Sequence, residues 1–287
     1  MNGAGGEDLD ARDEPGGAKG YRSSRDVGLA RRSSALRRYQ AMVIGSDSLW
    51  ELLKVETITF LLSGLPGAAG IALRAVAYPW ILGACGKGVV IGRGVIVRHP
   101  RRIHLGNRVM IDDGCVLDAR SDDGGIHIGD DVILSRRVTL SCKDGEIRIG
   151  SRTGIGTNST VHSVGGSAVR VGSDCVIAPY VYLVGGSHYR TDRLDIPIAE
   201  QGLELRGGVV VGDGCWLGAR ATVLDGTALG AHSIVGAGAV VTRSVPDFSV
   251  AVGLPARVVA DRRESKSAAA SPPAVCSPPP THPPTIA

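Results

Sequence analysis

VGDGCWLGARATVLDGTALGAHSIVGAGAVV, residues 211–241, decides the architecture. Val211, Leu217, Val223, Leu229, Val235 and Val241 stand six positions apart, and glycine follows directly at 212, 218, 230 and 236. The fifth residue of each hexad is small or β-branched: Cys215, Ala221, Thr227, Ser233, Ala239 and then Val245. A period of six fits neither the 3.6 of a helix nor the simple alternation of a strand. It fits a coil of three short strands and three corners, with the aliphatic residue pointing into the bore.

The same pattern runs upstream in blocks of three hexads. They begin at Leu105, Ile111 and Leu117, then Ile128, Leu134 and Leu140, then Ile149, Ile155 and Val161, then Val171, Ile177 and Leu183. A partial coil starts at Ile91 and Val97. Between blocks the phase slips by a few residues, which reads as insertions at one recurrent corner. Self-similarity at a fixed period is the signature of a solenoid. The prediction is an all-β solenoid, a parallel β-helix of about six to seven coils. Strands stacked about 4.8 Å apart make six coils roughly 29 Å tall. The second-position glycines are expected to supply positive φ at the corners.

Composition agrees with a narrow, repetitive core. Of 287 residues 41 are glycine, while aromatics make up only 4%. The glycines do not recur every third residue, which excludes collagen. A net charge of +4 without interleaved aromatics is too mild for a typical nucleic-acid binder. Cys115, Cys175 and Cys215 fall on the small fifth position, so they are expected to be packing residues. The first twenty residues carry five acidic groups and no apolar run. With no secretory leader legible there and no disulfide framework, the expected location is cytoplasmic, peripheral at most to the inner face of the membrane.

Four segments follow. Residues 1–45 and the Pro-rich 261–287 are expected to be disordered tails. Residues 85–260 hold the solenoid. Residues 46–84 are helical in pattern and broken at Gly64, Pro66 and Gly67, with Ser48 and Glu51 spaced as a capping box. Leu49, Leu52, Leu53 and Phe60 lie near one face, expected to pack on the solenoid or lie on a membrane surface. The break at Pro66 argues against a transmembrane helix.

One interruption is out of scale. Twenty-two residues, 189–210, separate the hexads at Leu183 and Val211. Long excursions from a regular scaffold are usually functional. At its root stands GGSHYR, residues 185–190, and beyond it IPIAEQG, residues 196–202. With these, the stretch from Val211 to Pro246 and VGLPARVV, residues 252–259, the chain from about 85 to 260 resembles the hexapeptide-repeat acyltransferases. That group includes the galactoside, maltose and polysaccharide O-acetyltransferases.

The resemblance implies a left-handed parallel β-helix, homotrimers, and acyl-CoA bound in a cleft between subunits. It implies acetyl-CoA as acyl-donor substrate, no required metal, and His188 as the general base that takes a proton from an acceptor hydroxyl. By the same resemblance Trp216, Ala219, Ala237, Thr242, Arg243 and Arg257 are cofactor-binding positions. Ala219 replaces a residue that is often serine in the family. Asn158 and Tyr189 are candidates for acceptor binding; Gly156 stands where some relatives carry an asparagine. The expected function is O-acetylation of a sugar or polysaccharide precursor. Acetylation of an amine and a non-catalytic scaffold are the alternatives. His104, His127, His162 and His232 are read as forming no close pair, and the short spacing of a three-histidine zinc site is absent.

Overall fold

The computed structural model describes residues 34–121, 124–186 and 188–264. The middle of the chain is a parallel β-solenoid whose three faces are parallel sheets. The first face runs from Ala84–Cys85 to Thr227–Leu229, seven strands deep. The second runs from Val90–Ile91 through Ser249–Val252 and closes with Arg257–Asp261. The third runs from Ile96–Arg98 to Val240–Val241.

Register follows the hexad. Leu105, Ile128, Ile149, Val171, Val211 and Leu229 pair in succession up the first face. These side chains, and their counterparts on the other faces, fill the bore and are buried. The fifth-position Cys115, Cys175 and Cys215 are buried as well. Burial pushes the thiol of Cys115 up to about 11, so it is a packing group and not a reactive thiolate. Val245 departs from the expected fifth position: only four residues after Val241 it bridges Leu229 in parallel and starts the last, shortened coil on the first face.

The corners correct one expectation. The second-position glycines do not have positive φ. That conformation falls on the fourth residue, occupied by Gly88, Gly114, Gly214 and Gly238 but also by Arg108, Asp131, Arg152, Asp174 and His232. The second position needs glycine because successive coils touch there. A Cβ on Gly156 would lie 2.5 Å from Ala178 C and Pro179 N, and one on Gly150 would lie 2.5 Å from Gly172 C. Gly156→Ala is therefore expected to cost about 1–3 kcal/mol by overpacking. Gly154→Ala, with nothing within 4 Å of its Cβ, should stay within about 0.5 kcal/mol. Paired urea titrations test this; equal midpoints for the two variants would refute the close-approach argument.

At the fourth position of the first corner, side chains of alternating charge stack into a ladder. Arg108 donates to Asp131 and Arg152 to Asp174, each pair through two hydrogen bonds. Such exposed pairs contribute little individually. They do neutralise residues that φ alone would have made glycine.

The helical segment begins earlier than expected. Residues 1–33 of the predicted tail lie outside the described residues. Ala35–Tyr39 forms helix α1, continued by a π-turn over Gln40–Ile44. Gln40 and Ile44 are buried, and His99 Nε2 meets Ala41 O at 2.9 Å, which fixes this piece to the solenoid. Helix α2 spans Leu49–Leu62 and helix α3 spans Gly67–Ala77. Ser48 Oγ accepts from Glu51 N, half of the capping box; the Glu51 carboxylate turns instead to Lys54 and Arg101. The packed face of α2 is Leu52 and Val55 with Ile58, so of the predicted set only Leu52 is packed. Leu49, Leu53 and Phe60 face outward. Of the expected C-terminal tail, residues 265–287 lie outside the described residues.

Candidate functional site

All the phase slips fall at one corner, where the chain passes from the third face to the first. The largest carries the excursion. Its two ends are set by glycines that lie against the coil below. Gly186 has φ 73° and a Cβ there would collide with Val164 O. Gly208 has φ 87° and a Cβ there would collide with Ala168 O. Both requirements select glycine, by backbone angle and by space.

Between these ends the chain makes a small hairpin. His188–Tyr189 pairs antiparallel with Leu203–Glu204, and Arg190 N donates to Gly202 O at 3.0 Å. Gln201 organises the tip. Its Oε1 accepts from Arg193 N at 3.0 Å, and its Nε2 donates to Arg193 O at 2.6 Å and Ile196 O at 3.2 Å. This gives a physical role to the Gln of IPIAEQG. The returning limb is tied from above by Asp225, a buried carboxylate that accepts from Gly208 N at 2.8 Å and Arg206 N at 3.1 Å.

The hairpin walls a cleft of about 740 Å³ lined by His188, Tyr189, Arg190, Thr191, Asp192, Glu204 and Arg206. His188 is half-buried, and among the described residues its ring has no hydrogen-bond partner within the chain. Glu204 is its directly paired residue across the hairpin. Side chains so paired share a face, with Cβ atoms roughly 5 Å apart. Glu204 also holds Arg206, at 3.2 Å. The cleft therefore combines an imidazole, a phenol, carboxylates and two guanidiniums. It can exchange a proton at His188 and accept polar, hydroxyl-rich molecules.

The other predicted positions divide by face. Tyr189 lies in the cleft with His188. Thr242 and Arg243, exposed just past Val240–Val241, lie where the third face ends, as His188 does. Trp216 projects from the second face, exposed, between Val176 and Ile234. Ala219 and Ala237 stack at the corner between the second and third faces, where Gly238 N donates to Ala219 O at 2.8 Å. Arg257 opens the closing strand of the second face. Asn158 has φ 58° at the same corner as Ala219, across the third face from His188. One chain thus brings Tyr189 to His188. It leaves Asn158 and Trp216 on different edges of the prism.

Two histidines form a pair that the spacing did not reveal. His104 and His127 stack with centroids 4.7 Å apart and planes 3° from parallel. Burial, then the neighbouring His104, lowers the pKa of His127. Both precede the aliphatic residue of their hexads, so adjacent coils superpose them. Asp225 and Glu204 were the functional residues missed from sequence. The one available signal was Asp225 at the third position of its hexad, where the flanking hexads carry Ala219, Ala231 and Ala237.

A parallel solenoid with one long excursion, rooted in glycines and carrying a histidine, defines the class of hexapeptide-repeat transferases. The family described as bacterial transferase hexapeptide (six repeats) matches residues 208–243, and the hexapeptide repeat of succinyl-transferase matches residues 146–183. A candidate lipopolysaccharide biosynthesis O-acetyl transferase of Escherichia coli K12, WbbJ, is 30% identical, over 47% of this chain and 87% of its own length. A probable acetyltransferase of Mycobacterium tuberculosis is 30% identical over 57% of this chain; the chain spans only 53% of that relative. The crystal structure of the polysialic acid O-acetyltransferase OatWY superposes with a TM-score of 0.49 at 22% identity, covering 63% of this chain and 82% of that one. The chain belongs to the hexapeptide-repeat acyltransferase family.

Proposed function

We propose that the protein transfers an acetyl group from acetyl-CoA to a hydroxyl of a sugar or polysaccharide precursor. The observation that carries this reading is His188 at the root of the excursion, in an open cleft and with no hydrogen-bond partner among the described residues. The relatives named for acetyl transfer support the donor, and the E. coli relative named for O-acetyl transfer supports a glycan hydroxyl.

In this reading His188 takes the acceptor hydroxyl's proton as the oxygen attacks the thioester carbonyl. The C–S bond then breaks, and the proton passes to the departing thiolate. Imidazole is the side chain most often placed for this kind of proton transfer. Glu204, paired opposite, is placed to orient the imidazole. The faces that carry Trp216, Ala219, Ala237 and Arg257 would take CoA, with Thr242 and Arg243 at the neighbouring edge. Because a single chain separates those residues from His188, the reading calls for a homotrimer with sites between subunits.

The test is acetyl-CoA turnover against a panel of free and nucleotide-linked sugars, read by thiol release and product mass. Ester-linked acetyl on a sugar hydroxyl is expected. Amide-linked product from amino sugars alone would overturn the choice of hydroxyl, and no turnover with any acceptor would overturn the reading.

A further inference from the structure

The net charge of +4 conceals a division of the molecule. Residues 15–111 hold fifteen Lys and Arg against four Asp and Glu, and no acidic residue occurs between Glu56 and Asp112. The rest of the chain is correspondingly acidic. The helical segment sits at this basic end. Of its three carboxylates, Glu51 is engaged by Lys54 and Arg101 and Glu56 by the Tyr39 hydroxyl at 2.6 Å, while Asp47, just before α2, is exposed.

The exposed face of this segment is apolar. On α2 the outward positions are Leu49, Trp50, Leu53, Thr57, Phe60 and Leu61, none charged. Phe60 is 85% exposed and Trp50 71%. From Phe60 to Trp80 the sequence holds one charge, Arg74. That guanidinium is turned inward, 1% exposed, and donates to the carbonyls of Leu62, Leu65 and Ile91. Ile71, Leu73, Val76 and Trp80 are left exposed on this stretch. Soluble surfaces rarely carry so many adjacent large apolar groups.

We infer that this face docks on an anionic lipid bilayer. Neither α2 nor α3 is long and apolar enough to cross a membrane. A helical pair that lies in the interface needs neither length. Tryptophans favour the headgroup region, and Trp50 and Trp80, one at each end of the two helices, are both exposed. Apolar insertion and a basic flank are the two signals that together give stable anchoring. The flank is supplied by Arg37 and Arg38, exposed on α1. A nucleic acid would use the cations but not the apolar face, so lipid accounts for both features. The inference does not depend on acetyl transfer.

Co-sedimentation of the full chain with vesicles of phosphatidylcholine, with and without phosphatidylglycerol, tests it. Binding to the anionic vesicles is expected, weakening with added salt and by about fivefold for each cation removed in Arg37→Gln, Arg38→Gln and their combination. Phe60→Glu with Trp80→Glu should abolish binding with an unchanged thermal midpoint, because both side chains are exposed. Sedimentation of this double variant equal to that of the parent would overturn the inference. So would failure of the parent to bind. If the double variant instead changes the mass of the assembly by light scattering while the parent ignores vesicles, the face is a subunit contact and the lipid assignment falls.

Discussion

His188→Ala is expected to lower kcat by about 10²–10⁴-fold, the usual contribution of a positioned general base. The KM for acetyl-CoA should change little, because the donor is assigned to residues other than His188, most of them on other faces of the solenoid. The thermal midpoint should also hold. The imidazole is half-buried and makes no hydrogen bond to a described residue, and the hairpin is held by backbone pairing and by Gln201 and Asp225. A loss of activity with the fold intact would therefore locate the defect in proton transfer. Glu204 gives the graded control. Glu204→Gln keeps an acceptor opposite the ring and should retain most activity, whereas Glu204→Ala should lose about tenfold in kcat, an order below the base itself. Turnover by His188→Ala at the parent rate would remove the histidine from the mechanism.

The solenoid was legible because its side-chain period equals its coil geometry. Each aliphatic residue of the hexad occupies the bore, so the 211–241 stretch alone specified strand length, corner and direction of burial. The role of the second-position glycines was harder to read, since positive φ and close coil contact both select the same residue. Only the coordinates separate them: the angle belongs to the fourth position and the contact to the second. The face of α2 was misjudged for a related reason. Leu49, Leu53 and Phe60 are as apolar as Leu52 and Val55, and periodicity does not say which of two apolar faces is covered. At the site, His188 was marked by its place at the root of the excursion. Asp225 and Glu204 were not, because each acts on residues some sixteen or more positions away. His104 and His127 escaped notice because an insertion at the recurrent corner hides the fact that their coils superpose them.

Arg74→Met is expected to cost about 3–5 kcal/mol, since hydrogen bonds to a charged group are worth about 1.5–3 kcal/mol each and their loss strands the acceptors. The guanidinium joins three pieces of the fold at once. Nη1 donates to Leu62 O at 2.9 Å and Leu65 O at 2.8 Å, and Nε donates to Ile91 O at 2.8 Å. Leu62 is the last residue of α2, whose final carbonyls have no partner within the helix, and Leu65 lies in the connection to α3. A cation there also meets the negative end of the helix dipole. The third lies on the second face of the solenoid, so the same side chain fixes α2 and α3 to the first coils. Gly70 is part of this arrangement: a Cβ would come within 3.0 Å of Arg74 Nη1 and closer still to Leu65 O. Methionine fills much of the volume but removes the donor from Leu65 O and Ile91 O and leaves Leu62 O only the long bond from Leu65 N at 3.3 Å. Arg74→Lys keeps the charge yet lacks the planar fork, and should recover only part of the loss. Urea denaturation measures the total. Hydrogen exchange over residues 49–80 shows where it falls, with protection lost there before the coils from 105 onward. A variant as stable as the parent, with that segment still protected, would mean that apolar packing of Leu52, Val55 and Tyr78 suffices to hold the helices.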